Sequence, residues 1–209
     1  MKKFQIMIFG ASTTHGNWDE MGGWSTRIRF YVIKKILAFP EKYHGHVFNL
    51  GVPGDNTEKL LKRMESEIKV RLFYPETIIL VSVGTNDSSI IYNDKKAFIT
   101  DEEFSDNQNK IAQIAKKYSQ KVLFLGFTPV DEKRTNPWYD NSYLNERLKR
   151  FNDLVKSICE KNKIEFLDLF SLFNKKDFLK YIYDGLHPNS SGHEEIFKLT
   201  KSYIDKFLG

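Results

Sequence analysis

Asp184 and His187 stand three residues apart in YDGLHPNSSGH, on a short loop closed by Pro188. That spacing lets a carboxylate face an imidazole and fix its tautomer, leaving the other ring nitrogen to reach a third group. Ser12 is the candidate for that group. It lies in FGASTTHG (residues 9–16), directly behind the apolar run FQIMI. A serine hydroxyl becomes a nucleophile when a base takes its proton, an acid orients the base, and donors hold the developing oxyanion. Two other stretches carry such donors. In NLGVPGDNTEKL, Asn49, Gly51 and Gly54 precede a helix start, so backbone N–H groups can point into a cleft. In VSVGTNDSS, Asn86 follows a glycine behind an apolar run and can turn its amide NH2 toward an oxyanion.

Each stretch alone has a plainer explanation. Glycine-rich and Gly-Thr-Asn-Asp segments make ordinary turns, and Asp184 to His187 can be a surface turn ahead of a helix. FGASTTHG can also cradle phosphate. A P-loop needs two glycines separated by four residues and then Lys and Ser or Thr. Here five residues separate Gly10 from Gly16, and Asn17 follows. The dinucleotide pattern G-x-G-x-x-G is absent, but a Ser/Thr-rich turn behind a first strand also suits a flavin mononucleotide phosphate. On the turn alone both readings stand. His15, His44, His46 and His193 lack a comparable partner and are expected to be structural or solvated. Asp184 and His187 have no further ligands in reach of the pattern, so no metal and no cofactor is expected.

The elements that position these residues follow from hydrophobic period. Short apolar runs at 4–9, 46–50, 77–83, 121–127 and 164–167 suit parallel strands buried on both faces. Between them, helical periodicity predicts helices over about 24–38, 57–73, 101–119 and 143–162, with a last one over 190–208. Thr57 looks like a helix cap, Asp101 to Glu103 supply acidic groups to a first turn, and Asn189 with Ser190 marks another start. Five strands alternating with helices imply right-handed crossovers and one parallel, doubly wound sheet. Residues 88–100 and 128–142 read as long irregular loops behind strand ends, where such sheets bind ligands. Ser12, Gly54, Asn86 and the Asp184–His187 pair then all fall on one edge of one sheet.

Length and composition bound the rest. The 209 residues, 41% hydrophobic and 28% charged, suit one sizeable domain over 1–209. The net charge of +5 is carried largely by dispersed lysine pairs (Lys34-Lys35, Lys95-Lys96, Lys116-Lys117, Lys175-Lys176), a solvated surface rather than a nucleic-acid stripe. The single Cys159, on a helical face, forms no internal disulfide and is expected to fill core. No window is long enough to span a membrane and the N-terminal apolar run is too short for a signal peptide, so the cytoplasm is the expected location. Oligomeric state is not encoded in any of these features.

In order along the chain, FGASTTHG, NLGVPGDNT, VGTND and DGLHPN resemble the Ser, Gly, Asn and His blocks of the SGNH hydrolases, the GDSL-type esterases and lipases. The blocks cover residues 9–189. The resemblance implies a three-layer α/β/α sandwich around a flavodoxin-like five-stranded parallel sheet. It implies Ser12 as nucleophile, His187 as base and Asp184 as its orienting acid. It also implies an oxyanion hole from the Ser12 and Gly54 N–H groups and the Asn86 side chain. One position departs from the pattern. Ala11 stands where the family usually has Asp, which puts the bracing of the nucleophile turn in question. Asp87, distant in sequence from His187 and adjacent to Asn86, is not expected to be the triad acid. The substrate implied is a small-molecule ester, a short-chain carboxylic ester or an O-acetylated carbohydrate. Trp18, Trp24, Trp138 and Tyr139 are candidates to wall an acyl pocket or stack on a sugar, and equally to be packing residues.

Overall fold

A computed structural model describes residues 1–174 and 176–209; Lys175, in one of the lysine pairs, lies outside them. The strands are β1 (Lys2–Gly10), β2 (Tyr43–Gly51), β3 (Glu76–Ser82), β4 (Ile90–Ile91), β5 (Lys96–Ala97), β6 (Lys121–Leu125), β7 (Asn141–Ser142) and β8 (Glu165–Leu167). The helices are α1 (Ser12–His15), α2 (Gly23–Ala38), α3 (Thr57–Lys69), α4 (Asp101–Tyr118), α5 (Glu132–Thr135), α6 (Asn145–Asn162), α7 (Leu169–Asn174) and α8 (Ser190–Leu208), with a 3-10 turn over Phe178–Tyr181. The five longer strands lie in the order β2-β1-β3-β6-β8, and every neighbouring pair is parallel.

Alternation along the strands explains the layers. Phe4, Ile6 and Ile8 of β1 point to one face, where they meet Trp24, Ile28 and Val32 of α2 and Ile196 and Ile204 of α8. Met7 and Phe9 point to the other, against Leu60 and Met64 of α3, Phe104 and Ile111 of α4, and Phe151 of α6. The sheet is therefore covered on both faces, as the three-layer expectation requires. Cys159 is buried in the second of these cores, and burial pushes its thiol up to about 12, so it packs as an apolar residue.

Several local expectations shift. β2 begins three residues earlier than its apolar run because it is an edge strand, half exposed through Tyr43–Gly51. Asn56, not Thr57, caps α3, its side chain accepting from the Lys59 N–H at 2.8 Å. Thr100 caps α4 in a reciprocal box with Glu103. The two stretches expected to be irregular pair with each other: β5, β4 and β7 form a small antiparallel sheet beside the main one.

The polar turn behind β1 is the short helix α1, folded back onto the ends of β1 and β2. Glycine makes this approach possible. A Cβ at Gly10 would lie 2.1 Å from Thr14 Oγ1 and 2.5 Å from the Ser82 carbonyl, and one at Gly51 would lie 2.4 Å from the His15 nitrogen. The Ala11 side chain contributes no capping hydrogen bond to α1. The bracing comes instead from the Ser25 hydroxyl donating to Thr14 O (2.6 Å), the Asn49 amide donating to His15 O (3.1 Å), and the Val52 N–H donating to Gly10 O (3.0 Å).

The segment behind α1 is clamped to the start of α8. The fully enclosed Asp19 carboxylate accepts from the Met21 and Gly23 N–H groups and the Ser190 hydroxyl, and pairs with the Arg27 guanidinium. Arg27 Nε also donates to Glu194, at 2.9 Å. Beside this pair, buried His193 accepts the Trp24 N–H on Nδ1 (3.3 Å) and donates from Nε2 to Asn17 O (3.1 Å).

Two predictions follow from these contacts. Gly10→Ala overpacks α1 against β1 and is expected to cost about 1–3 kcal/mol in urea unfolding; an unchanged midpoint would show that the turn yields freely. Burial holds His193 down to about 4, against 6.5 unperturbed. The unfolded chain therefore binds a proton between pH 6.5 and 4 that the folded chain refuses. Stability should fall by about 3 kcal/mol as pH drops through that window. His193→Gln should lose that component, so wild type and variant showing the same pH dependence of the urea midpoint would rule it out.

Candidate active site

The carboxyl ends of β1, β3 and β6 open into one cleft lined by Ser12, Gly84, Asn86, Gly126, Phe127 and His187, among others. Ser12 enters it as the first residue of α1, immediately beyond the end of β1. His187 enters from the segment between the 3-10 turn and α8, where the Tyr183 N–H donates to His187 O at 2.8 Å and closes the loop. Ser12 Oγ lies 2.9 Å from His187 Nε2 across 175 residues of sequence. His187 Nδ1 donates to Asp184 Oδ2 at 2.8 Å, which leaves Nε2 bare toward the serine hydroxyl.

Asp184 is held in its ionised form. Burial alone would raise its pKa. The His187 ring and backbone N–H groups and the Leu186 N–H outweigh burial and leave the carboxyl below its ordinary value. Its Oδ1 accepts from the backbone N–H groups of Leu186 (3.0 Å) and His187 (2.8 Å) while Oδ2 takes the imidazole. The three residues form an unbroken relay from hydroxyl to carboxylate.

Asn86 shares the cleft with Ser12. Its Nδ2 donates one hydrogen to Asp55 O at 2.7 Å, and an amide NH2 has a second to give. Its Oδ1 accepts from the Tyr143 hydroxyl at 3.3 Å, which fixes which end of the amide is the donor. Gly54 is less closely joined to the cleft. It lies outside the lining and is tied to it through its neighbour Asp55 and that bond to Asn86. Its φ of +79° is a turn conformation suited to glycine, and a Cβ there would meet nothing within 4 Å.

Asp87 is bonded to Thr57 rather than to His187. Its buried carboxylate accepts from the Thr57 N–H (3.0 and 3.1 Å) and the Thr57 hydroxyl at the start of α3. Burial raises its pKa despite those donors. The residue locks the Asn86 turn to α3, which is a bracing contact with no link to the imidazole.

The candidate aromatics separate into different roles. Trp24 is fully buried in the core and supplies part of the cleft floor. Trp138 stands edge-on to the His187 ring, centroids 6.2 Å apart, and Tyr139 beside it is exposed. Trp18 is exposed and stacks on Tyr183. Sequence reasoning did not single out Asp19, Arg27, Asp55, Tyr143 or Tyr183. The contacts that join them to other segments, to Ser190, Glu194, Asn86 and Trp18, are remote in the chain, so no local spacing marks them. His15, His44 and His46 lie at the surface, with Asn17 and Tyr74 as hydrogen-bond partners. Among the described residues no three His, Cys, Asp or Glu side chains gather to hold a metal, and no helix is long and apolar enough to cross a membrane.

Known proteins give the same architecture a family. The model of the GDSL-like lipase/acylhydrolase family matches residues 8–195. A GDSL esterase/lipase of Arabidopsis thaliana, CPRD49, is 26% identical over 94% of this chain and 78% of its own length. The mouse (Mus musculus) isoamyl acetate-hydrolyzing esterase 1 homolog is 24% identical over 97% of this chain and 82% of its own. The crystal structure of a lipase/acylhydrolase from Enterococcus faecalis superposes with a TM-score of 0.72 at 24% identity, covering 97% of this chain and 95% of that one. With the family model spanning most of its length, the chain belongs to the GDSL-like lipase/acylhydrolase family and is a carboxylic ester hydrolase.

Proposed function

We propose that the 209 residues work as one catalytic unit, a serine esterase that removes short acyl groups through an acyl-enzyme on Ser12. The observation that carries this reading is the Ser12–His187–Asp184 relay, with both hydrogen bonds under 3 Å. In it, Ser12 Oγ attacks the ester carbonyl carbon while His187 Nε2 takes the hydroxyl proton. The imidazolium is stabilised by the ionised Asp184 at Nδ1. The carbonyl oxygen becomes an oxyanion, met by the Ser12 and Gly54 N–H groups and by Asn86 Nδ2. As the C–O bond to the alcohol breaks, His187 returns the proton to the leaving oxygen. Water then repeats the sequence against the acyl-enzyme, and the free acid and Ser12 are restored.

The acyl group is proposed to be small, an acetyl group or close to it. The cleft that Ser12 lines has a cavity volume of about 30 Å³. That is far below the roughly 300–1,000 Å³ of a pocket that encloses a larger ligand, so a long acyl chain would not be enclosed. The cleft floor, Trp24 and Ile196, belongs to the packed core and has no freedom to recede.

Hydrolysis of p-nitrophenyl acetate and octanoate tests both halves of the proposal. Ser12→Ala should abolish turnover of the acetate. Asn86→Ala should lower kcat by about a hundred- to a thousandfold, the usual effect of losing one oxyanion donor. Wild type should prefer the acetate. Full activity in Ser12→Ala would overturn the nucleophile assignment, near-normal kcat in Asn86→Ala the donor assignment, and a preference for octanoate the small acyl site.

A further inference from the structure

The cleft stands where the two cores meet at the carboxyl ends of the strands. Trp24 and Ile196 reach it from the α2–α8 side of the sheet, and Val83, Phe127 and Leu186 from the other. Phe127 is the largest apolar side chain on that second side. It lies two residues beyond the end of β6, and its ring crosses to the segment behind β3, where Gly84 leads into Asn86. A Cβ at Gly84 would come within 2.6 Å of the ring's Cζ and within 3.0 Å of Cε2 of Phe104. Only a residue without a side chain admits both rings here, and Gly84 holds a φ of +138°, which other residues rarely adopt. Phe104 in turn stacks on Phe151, centroids 4.1 Å apart. The Phe127 ring thus lies between the cleft, which it lines, and the aromatic core of α4 and α6.

The backbone that carries the ring is fixed without it. The Gly126 N–H donates to Leu167 O (2.9 Å), the Phe127 N–H to Asn152 Oδ1 (3.2 Å), and the Val130 N–H to Asn145 Oδ1 (2.9 Å). A smaller side chain at this position leaves all three bonds in place. Trp24 and Ile196 differ, because each sits on a helix whose packing on the sheet it supports. Phe127 belongs to neither a helix nor a strand.

We propose that the Phe127 ring sets the length of acyl group the site accepts, and that shortening it opens the cleft to linear chains such as butanoyl and octanoyl. The assignment rests on the Ser12 hydrolase reading and names the wall that gives its acyl site its size. A longer acyl chain gains affinity only where it leaves water for apolar surroundings. Thr85, Asn86 and Thr128 make polar walls, and Trp24 and Ile196 a fixed floor. That leaves the side of Phe127, with the core behind it, as the apolar way out.

Phe127→Ala tests this with and without catalysis. Phe127→Leu runs beside it, because loss of a whole buried ring can unfold a domain. In a Ser12→Ala background, sodium octanoate is titrated by calorimetry. Each methylene newly buried is worth about a fourfold gain in affinity. Octanoate should therefore bind roughly fifteen- to sixtyfold tighter to Phe127→Ala and about fourfold tighter to Phe127→Leu. With Ser12 in place, kcat/KM for p-nitrophenyl octanoate relative to the acetate should rise by similar factors, in the same order. An unchanged ratio in variants that turn over the acetate would overturn the assignment, and so would unchanged octanoate binding. Tighter octanoate binding by proteins that cleave neither ester would sink the hydrolase reading while leaving Phe127 as the wall.

Discussion

The buried Asp19 carboxylate is the contact on which the site geometry depends most. Ser12 and His187 lie on opposite ends of the chain, and the 2.9 Å approach between them is worth only about 1 kcal/mol net as a hydrogen bond. Such a bond cannot gather its own partners. Asp19 does so from behind, drawing the segment after α1 and the first turn of α8 onto one anion. A buried ion pair adds little stability overall, because desolvation offsets much of its attraction. What it adds here is placement. The carboxylate accepts from two backbone N–H groups, a hydroxyl and a guanidinium, and a shift of either segment strands several donors at once.

The second constraint is steric. Ser12 must leave the end of β1 and turn at once, or it would ride past the cleft on a longer helix. The missing side chains at Gly10 and Gly51 allow α1 to lie across the ends of two strands. This also explains why Ala11 is tolerated. A carboxylate at that position is one way to brace the turn, and hydrogen bonds from Ser25, Asn49 and Val52 are another. The Asn86 side of the cleft is built by the same logic: Asp87 fastens the Asn86 turn to α3 through Thr57, while Asp55 and Tyr143 orient the amide.

Much of this was legible in the sequence, and the reason is distance along the chain. Strands buried on both faces show as apolar runs, so the five-stranded sheet and its helices emerge from period alone. Asp184 and His187 are three residues apart, so the pair can be read locally, as a carboxylate facing an imidazole or as a surface turn. The small sheet of β4, β5 and β7 was not legible, because strands of two residues have no period to detect. Asp19 and Arg27 carry no local signal, since Ser190 and Glu194, which complete their network, lie more than 160 residues away. His193 was expected to be structural or solvated, and only its burial between Asn17 and Trp24 decides between the two.

The proposed acyl position and the loops around it are built from very different parts of this molecule. Around the proposed acyl position the walls are strand ends and core residues such as Trp24 and Ile196, which cannot change size without repacking the sheet. The loops carry other aromatics: Trp18 behind α1, Tyr183 behind the 3-10 turn, and Trp138, edge-on to His187, with Tyr139 between α5 and β7. Loops of this kind change sequence and length at little cost to stability, whereas core positions do not. The proposed acyl position is therefore walled by the rigid part of the fold, while the loops beside it are its most adaptable part. A fold arranged in this way can hold one chemistry constant while the loops beside it change from one relative to the next.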